Sequence, residues 1–368
     1  MKAYTSNNIR NIAVLGHGGK GKTTLCEAML YIAGASDRLG RVADGNTVLD
    51  FDSEEKRRKS SVSSAIAALE WDNTKLNIID APGLFDFEGG AAEAVRAAEA
   101  VLIVTSAGSG VDVGTEKAFR AAEKKGAAKF FAVTKTDSDH RNFYKTFDAL
   151  KEVYGNKLCP TIIPYMEGNI TKCYVNLMTG MAFSYDENGK ATKVPVPEDS
   201  VIEEMTSAFM EAVATTDDAL MEKFFEGEKF TKEEILKGLC IGIFDGSIYP
   251  VYAVSGLTCA GVDQLLYGLA WSAPGAFGYA GEKCTYENGE EGILPCDENG
   301  PLAAVCFKTI ADPFVGKMSF FKVVSGKLAP DTAAYNFRTG EIEKMGKIVF
   351  VKGAKQEDAP AIIAGDIG

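Results

Sequence analysis

The chain has 368 residues, of which 46% are hydrophobic and 24% charged, the balance of an ordinary folded protein. Its 39 Lys and Arg stand against 51 Asp and Glu, so the net charge is -12. This composition excludes collagen-like and disordered classes, and it excludes a uniformly basic nucleic-acid coat. Any contact with RNA must therefore use local basic patches. The length predicts two or three domains at roughly 150 residues each.

No apolar stretch approaches the roughly 20 residues of a membrane span, and the first apolar run is too short for a signal-peptide core. The eight cysteines form no C-x-x-C pair, which is typical of reduced thiols. We therefore expect a cytoplasmic protein without a membrane partner, and a monomer. The two histidines, His17 and His140, are too few for histidine-rich metal chemistry.

Short apolar runs alternate with helical periodicity over the first 155 residues. The apolar runs are 12–15, 76–79, 101–104, 130–133 and 161–163. The helical segments are 23–33, 88–99, 115–125 and 142–153. This alternation predicts a mostly parallel sheet covered by helices on both faces, an α/β fold.

The alternation stops at about residue 167, which predicts an α+β insert at about 167–248 within a first domain of residues 1–273. Within the insert, residues 198–235 carry twelve acids and three lysines. The favoured interpretation is the solvated face of two helices, and the alternative is a docking surface for a basic partner. The alternation resumes with an apolar run at 251–254 and a helix at about 261–272.

Residues 274–300 are rich in Gly, Glu and Asn and predict a linker with a hairpin. From residue 301 to 368 the pattern consists of short apolar runs separated by turns, which predicts an all-β antiparallel barrel. The pattern ends after few strands, so we expect the barrel domain to be truncated and the chain to be a fragment of a longer protein.

Residues 16–23 fit the pattern G-x-x-x-x-G-K-S/T, between a predicted strand and a predicted helix. Glycines let successive backbone N–H groups turn inward and surround phosphate oxygens. We expect Lys22 to reach the β- and γ-phosphates and Thr23 to bind Mg²⁺, while His17 and Lys20 point away. The candidate phosphate-binding residues are Gly16, His17, Gly18, Gly19, Lys20, Gly21, Lys22, Thr23 and Thr24.

A second motif ends the strand predicted at 76–79. It reads Asp80, Ala81, Pro82 and Gly83. A carboxylate at the end of a strand beside a phosphate loop suits Mg²⁺ binding, so Asp80 is a candidate metal ligand. The N–H of Gly83 can reach a γ-phosphate, so this turn can sense whether that phosphate is present.

A base-reading motif follows the strand predicted at 130–133 and contains Thr134, Lys135 and Asp137. The Asp137 carboxylate can accept hydrogen bonds from guanine N1–H and N2–H, which adenine does not offer as a pair. The Lys135 side chain can lie along the base. A turn after the strand at 251–254 can complete the base pocket with backbone N–H groups, from Ser255, Gly256 and Leu257.

In this order the motifs resemble those of the translational GTPases, and of elongation factor G in particular. The resemblance spans the chain: residues 78–87 look like the second switch, 312–317 and 364–368 like the second-domain barrel, and 220–228 like the extra subdomain. It implies a GTP-hydrolysing translation factor that acts on the ribosome, is slow without an activator, and uses GTP or GDP with Mg²⁺. The family is about twice as long as this chain.

The resemblance also places a first switch at 52–62, where Ser61 stands at the position of a Mg²⁺-ligating threonine. Gly19 replaces the usual aspartate, and Thr134 the usual asparagine. Leu84 stands where the family has a water-positioning histidine. The candidate catalytic residues are Lys22, Gly83 and Leu84. Two alternatives remain: a slow or non-hydrolysing GTP-dependent ribosome-binding switch, and a ribosome-protection factor.

Overall fold

The computed structural model describes residues 2, 4–138, 142–278, 281–286, 288–312 and 316–368. His140 and part of the 312–317 motif lie outside the described residues. The α-helices in the described part are α1 (Lys22–Ile32), α2 (Ser53–Arg58), α3 (Glu88–Ala97), α4 (Val113–Lys125), α5 (Phe143–Tyr154), α6 (Ser200–Ala214), α7 (Asp218–Phe225), α8 (Lys232–Asp245) and α9 (Val262–Ser272). None of these helices is long and apolar enough to cross a bilayer.

The strands of the described residues are given in two sets, those before residue 274 and those after it. The first set is β1 (Ile9–Leu15), β2 (Ala65–Trp71), β3 (Thr74–Asp80), β4 (Ala100–Ser106), β5 (Ala128–Thr134), β6 (Leu158–Glu167), β7 (Ile170–Asn176), β8 (Met181–Tyr185), β9 (Ala191–Val194) and β10 (Tyr249–Ala253). The second set is β11 (Glu282–Thr285), β12 (Glu291–Leu294), β13 (Ala303–Asp312), β14 (Gly316–Ser325), β15 (Lys327–Leu328), β16 (Ala333–Asn336), β17 (Glu341–Lys344), β18 (Val349–Lys352), β19 (Lys355–Asp358) and β20 (Ile362–Ile363).

The core of the first domain is a parallel sheet in the order β3-β1-β4-β5-β10-β6. Every residue of β4 and β5 is buried, because helices cover both faces. The predicted α/β fold is therefore confirmed. The phosphate loop, the Asp80 turn and the base-reading motif all follow the carboxyl ends of these strands, where ligands of such sheets bind.

Two features of the sheet differ from the sequence prediction. β2 pairs antiparallel with β3 at one side, and β7, β8 and β9 extend the sheet antiparallel beyond β6. The insert therefore begins as further strands of the same sheet. The acidic segment 198–235 holds two complete helices, α6 and α7, and the first residues of α8, with Asp199, Asp217 and Thr231 as their N-caps.

The β-strand domain packs directly against the first domain. Its longest hairpin pairs β13 with β14, and a small apolar core lies beneath it, formed by Val323, Leu328, Ile348, Ala359 and Ile362. A buried polar cluster joins the two parts. Lys75 Nζ lies 2.7 Å from Asp366 Oδ2, Asn77 Nδ2 donates to Asp366 Oδ1 at 2.9 Å, and Lys322 pairs with Glu99. These pairs fix the docking geometry, since any one charge alone would be buried without a partner.

Candidate nucleotide-binding site

The phosphate loop lies between β1 and α1 and depends on glycine at two positions. A Cβ at Gly16, which has φ +139°, would lie 2.2 Å from the carbonyl oxygen of Val104. Gly21, with φ +92°, lies immediately before α1. Lys22 begins that helix, and its Nζ donates to the carbonyl oxygen of His17 at 3.0 Å. The lysine side chain therefore folds back over its own loop. From this position its ammonium group can bind a phosphate held by the loop.

His17 and Lys20 contact Asp112, the N-cap of α4. Lys20 Nζ lies 3.0 Å from Asp112 Oδ2, and His17 Nδ1 lies 3.9 Å from Asp112 Oδ1. Burial acts to raise the pKa of Asp112, but hydrogen bonds from the Thr115 N–H and from Lys20 outweigh it, so the net pKa lies below its ordinary value. The Lys20 side chain therefore ties the loop to α4, and the His17 ring lies beside the same carboxylate.

Behind Lys22 lies a buried chain of four oxygen-bearing side chains. Thr23 Oγ1 donates to Asp80 Oδ2 at 2.6 Å and lies 3.0 Å from Ser61 Oγ. Ser61 Oγ in turn donates to Asp50 Oδ1 at 2.7 Å. The structure thus brings together the three predicted metal ligands from three separate segments. Asp50 is a fourth member that no sequence motif indicated.

This cluster fits Mg²⁺. Asp80 Oδ1 and Asp50 Oδ2 are buried and have no hydrogen-bond partner among the described residues. Burial and then the nearby Asp50 charge raise the pKa of Asp80 to about 7. Burial also raises the pKa of Asp50. Two crowded carboxylates beside two hydroxyls form an all-oxygen donor set, which is the set that Mg²⁺ prefers, directly or through water. A divalent cation there would relieve their mutual repulsion.

The Asp80 turn closes onto the phosphate loop at Gly83. A Cβ at this residue would lie 2.1 Å from Lys22 Nζ and 2.8 Å from both the carbonyl oxygen of Gly16 and the backbone nitrogen of Gly18. Ala81 holds the turn to β1 because its N–H donates to the carbonyl oxygen of Val14 at 3.2 Å. Ala81 and Pro82 are buried beside it. No side chain fits at Gly83 while the turn is closed.

Gly83→Ala should therefore weaken binding of a non-hydrolysable GTP analogue by about tenfold or more, the cost of losing one charge-assisted hydrogen bond. GDP affinity should change little, because GDP lacks the γ-phosphate that the Gly83 N–H is expected to reach. Titration with fluorescent nucleotides would measure both. Gly89→Ala is the matched control, since its Cβ would meet no atom within 4 Å. Equal effects of the two changes on the analogue would show that Gly83 has no special contact.

Leu84 lies over the phosphate loop next to Gly83. A Cβ at Gly18 would lie 3.0 Å from Leu84 Cδ2, so the absence of a side chain at Gly18 makes room for the leucine. The Leu84 side chain is 40% exposed, and a cavity of about 320 Å³ opens beside it, between the turn and α4. Because a leucine side chain has no hydrogen-bond acceptor, the side chain at this position cannot orient an attacking water.

The base-reading motif contacts the phosphate loop through two side chains. Thr134 Oγ1 donates to the carbonyl oxygen of Lys20 at 2.6 Å, and Lys135 Nζ donates to that of Gly19 at 2.8 Å. Threonine therefore makes a direct bond to the loop from this position. Asp137 lies two residues further on and is exposed. The motif thus extends from the loop to a carboxylate that faces solvent, where a base can reach it.

The turn of residues 255–257 lies beside that motif because β10 pairs with β5. The Val254 N–H donates to the carbonyl oxygen of Val133 at 3.0 Å. The Ser255 N–H donates to the carbonyl oxygen of Ala260 at 2.9 Å, so a backbone contact to a base must come from Gly256 or Leu257. Gly256 packs on α1, where its Cβ would lie 3.0 Å from the carbonyl carbon of Thr24.

Three features lie around one edge of the parallel sheet. They are the glycine-rich phosphate loop, the cluster of oxygen-bearing side chains that suits Mg²⁺, and the Asp137 carboxylate, which suits recognition of guanine. Together they define a phosphate-loop GTPase domain. Sequence models of two families match the chain. "Elongation factor Tu GTP binding domain" covers residues 7–274, and "Elongation factor G domain 2" covers 301–368. The chain therefore belongs to the translational GTPases, and it is of the elongation factor G type.

Relatives of known sequence and structure agree with this assignment. Two proteins of Mycobacterium tuberculosis, from strains CDC 1551 and H37Rv, carry the name "Elongation factor G-like protein" and are each 32% identical over 98% of this chain. A crystal structure of a protein from Thermus thermophilus superposes with a TM-score of 0.85 and 31% identity, also over 98% of the chain. The chain spans 52% of the length of each of these relatives.

Proposed function

We propose that the chain binds GTP and GDP together with Mg²⁺, hydrolyses GTP slowly, and acts on the ribosome as a GTP-driven factor in the cytoplasm. The observation that carries this proposal is the buried set of Thr23, Ser61, Asp80 and Asp50 next to Lys22. We further propose the division into a GTP-binding domain (1–273), a linker (274–300) and a barrel domain (301–368).

The roles of the residues follow from their places. Lys22 lies at the loop where it can neutralise charge on the β- and γ-phosphates, and the Gly83 N–H can hold the γ-phosphate. Thr23 and Ser61 would hold Mg²⁺, with Asp80 and Asp50 behind them. When bound, Mg²⁺ would supply further charge neutralisation on the phosphate oxygens. Asp137 would select guanine, and the N–H groups of the 255–257 turn would complete the base pocket.

A second candidate function is a GTP-dependent switch that hydrolyses hardly at all. Leu84 favours it, since the described geometry offers no acceptor at the position next to Gly83. A missing positioning or base group typically slows a reaction by about 10²–10⁴-fold without abolishing it. The intact Lys22 and oxygen cluster therefore favour slow hydrolysis over none. GTP turnover by this chain, measured with and without ribosomes, separates the two functions: no turnover in either condition would favour the switch.

Ribosome contact by this chain should be weak and sensitive to salt. Helix α2 offers exposed basic side chains at Lys56 and Arg57, and Lys59 follows it, but the net charge of -12 opposes binding to rRNA. We expect GDP binding to persist, because the proposed nucleotide contacts lie within residues 16–257. Sedimentation with ribosomes at low and moderate salt measures the contact. Tight, salt-insensitive sedimentation would contradict this expectation.

A further inference from the structure

Lys308, on β13 of the barrel domain, inserts its ammonium group into the first domain. Its Nζ donates to Ser63 Oγ at 2.6 Å and to the carbonyl oxygen of Ser64, and it lies 3.1 Å from Ser64 Oγ. Glu93 Oε2 is 3.9 Å away and also accepts a hydrogen bond from Ser64 Oγ at 2.6 Å. Lys308 is only 7% exposed, so its charge depends on these partners.

The residues that contact Lys308 lie next to the two switch segments, which border the proposed nucleotide site. Ser63 and Ser64 follow Ser61, the proposed metal ligand, by two and three residues. Glu93 lies on α3, the helix that follows the Gly83 turn. The two regions meet at Gly90, where a Cβ would lie 2.8 Å from Pro82 Cδ and 3.2 Å from the Ser64 backbone nitrogen. Lys308 therefore contacts the place where both switch segments converge.

The short stretch from Ser61 to Ser64, which Lys308 contacts at its end, is held at one further point. Glu55 Oε1 accepts from the backbone N–H of Val62 at 3.0 Å and of Ser63 at 3.3 Å, so α2 of the first switch is tied to the same strand end. A shift of Ser61 away from Thr23 must therefore move the groups that Lys308 binds. Burial lowers the pKa of Lys308, and the charges of Glu93 and Glu55 oppose that shift.

Two other buried ion pairs between the domains have a different location. Lys322 pairs with Glu99 just before β4, and Lys75 on β3 pairs with Asp366. These partners belong to the central sheet and its edge, away from the loops at the carboxyl ends of the strands. They can hold the barrel in place whatever the switch does. Lys308 is thus the buried barrel lysine whose partners adjoin the switch.

We propose that Lys308 couples the nucleotide state of the first domain to the barrel domain: it stabilises the closed switch, with Ser61 next to Thr23, and loses its partners when the switch opens. This inference rests on the proposed nucleotide site. In the structure the switch is closed and all the Lys308 contacts are made. Removal of the ammonium group therefore weakens the closed state, and by linkage it lowers affinity for the nucleotide that needs that state.

The test compares nucleotide affinities of the 368-residue chain and its variants. Lys308→Met should lower affinity for a non-hydrolysable GTP analogue relative to GDP by about fivefold or more, the lower end of usual coupling between sites. Lys322→Met is the matched control, because it removes another buried interface lysine from the neighbouring strand. It should lower the melting temperature and leave the ratio of the two affinities unchanged. An equal change of this ratio in both variants would overturn the proposal.

Ser64→Ala approaches the same contact from the first domain, and it should shift the affinity ratio in the same direction even where Lys308→Met folds poorly. Hydrogen exchange adds a direct readout. In the wild-type chain, β13 should exchange more slowly with the GTP analogue than with GDP. This difference should become smaller in Ser64→Ala, which removes the Ser64 Oγ contact and leaves the Ser63 Oγ and Ser64 carbonyl contacts in place. A wild-type chain that binds neither nucleotide would refute the proposed function. Binding of both nucleotides without a response in β13 would refute the coupling alone.

Discussion

Asp137→Asn is expected to abolish the preference for guanine nucleotides. The carboxylate would accept two hydrogen bonds from the guanine edge, and an asparagine presents a donor where one of those acceptors stood. Each hydrogen bond to a charged group contributes about 1.5–3 kcal/mol, so the loss of one of them should lower GDP affinity by roughly 10- to 10²-fold. Xanthine offers an acceptor in place of the guanine amino group, so xanthosine diphosphate should bind the variant more tightly than GDP does.

Titration calorimetry with GDP, ADP and xanthosine diphosphate measures this exchange of preference. Asp148→Asn, an exposed aspartate on α5, is the matched control and should leave all three affinities as they are. A wild-type chain that binds ADP as tightly as GDP would show that Asp137 does not read the base.

The fold was largely predictable where apolar runs are continuous. β4 and β5 are buried on both faces, and such strands have a clear signal in the sequence. β2 was missed because it is rich in alanine over residues 65–68, which favours a strand only through its antiparallel pairing with β3. The turn signal at residues 185–190 predicts a hairpin, and β8 and β9 form it. That β7 joins this hairpin to the main sheet could not be predicted, because the pairing depends on the long-range edge that β6 offers.

The candidate site was predictable to the extent that its motifs are local. Gly16 to Thr23 signal their conformation through glycine spacing alone. Asp50 has no such signal, since it lies in an irregular segment and meets Ser61 only through the fold. The interface cluster did leave a trace: Lys75 and Asn77 alternate with the apolar Leu76 and Ile78 in β3, and a buried polar residue requires a partner. Their partner Asp366 lies near the other end of the sequence, so the pairing could not be inferred from the sequence.

Leu84 and Gly18 are best understood as a pair. In the sequence Leu84 stands out only as the loss of a histidine, and the structure adds that its side chain occupies the space above Gly18. A larger residue at Gly18 would meet Leu84 Cδ2, which is already 3.0 Å from the ideal Cβ position. The apolar side chain therefore lies over the loop that is proposed to hold the phosphates, where an attacking water would need an acceptor.

Leu84→His should raise the rate of GTP hydrolysis on ribosomes by roughly 10²-fold, the lower end of what a positioned acid–base group contributes. Gly18 leaves room for the imidazole, and Leu84 is already 40% exposed, so the change requires little repacking. Nucleotide affinities should stay the same, because Lys22 and the oxygen cluster are untouched. Single-turnover hydrolysis of radiolabelled GTP, with and without ribosomes, gives the rate.

Leu84→Met is the matched control, since methionine keeps the apolar volume and offers at most a weak acceptor. It should hydrolyse GTP at the wild-type rate. A histidine variant no faster than the methionine variant would mean that the water site has been reshaped around Leu84. Rapid wild-type turnover that neither change alters would mean that another residue orients the water. Phe85, whose ring meets His17 edge-on at 5.5 Å, offers no acceptor, so the search would then move to the residues around the cavity beside α4.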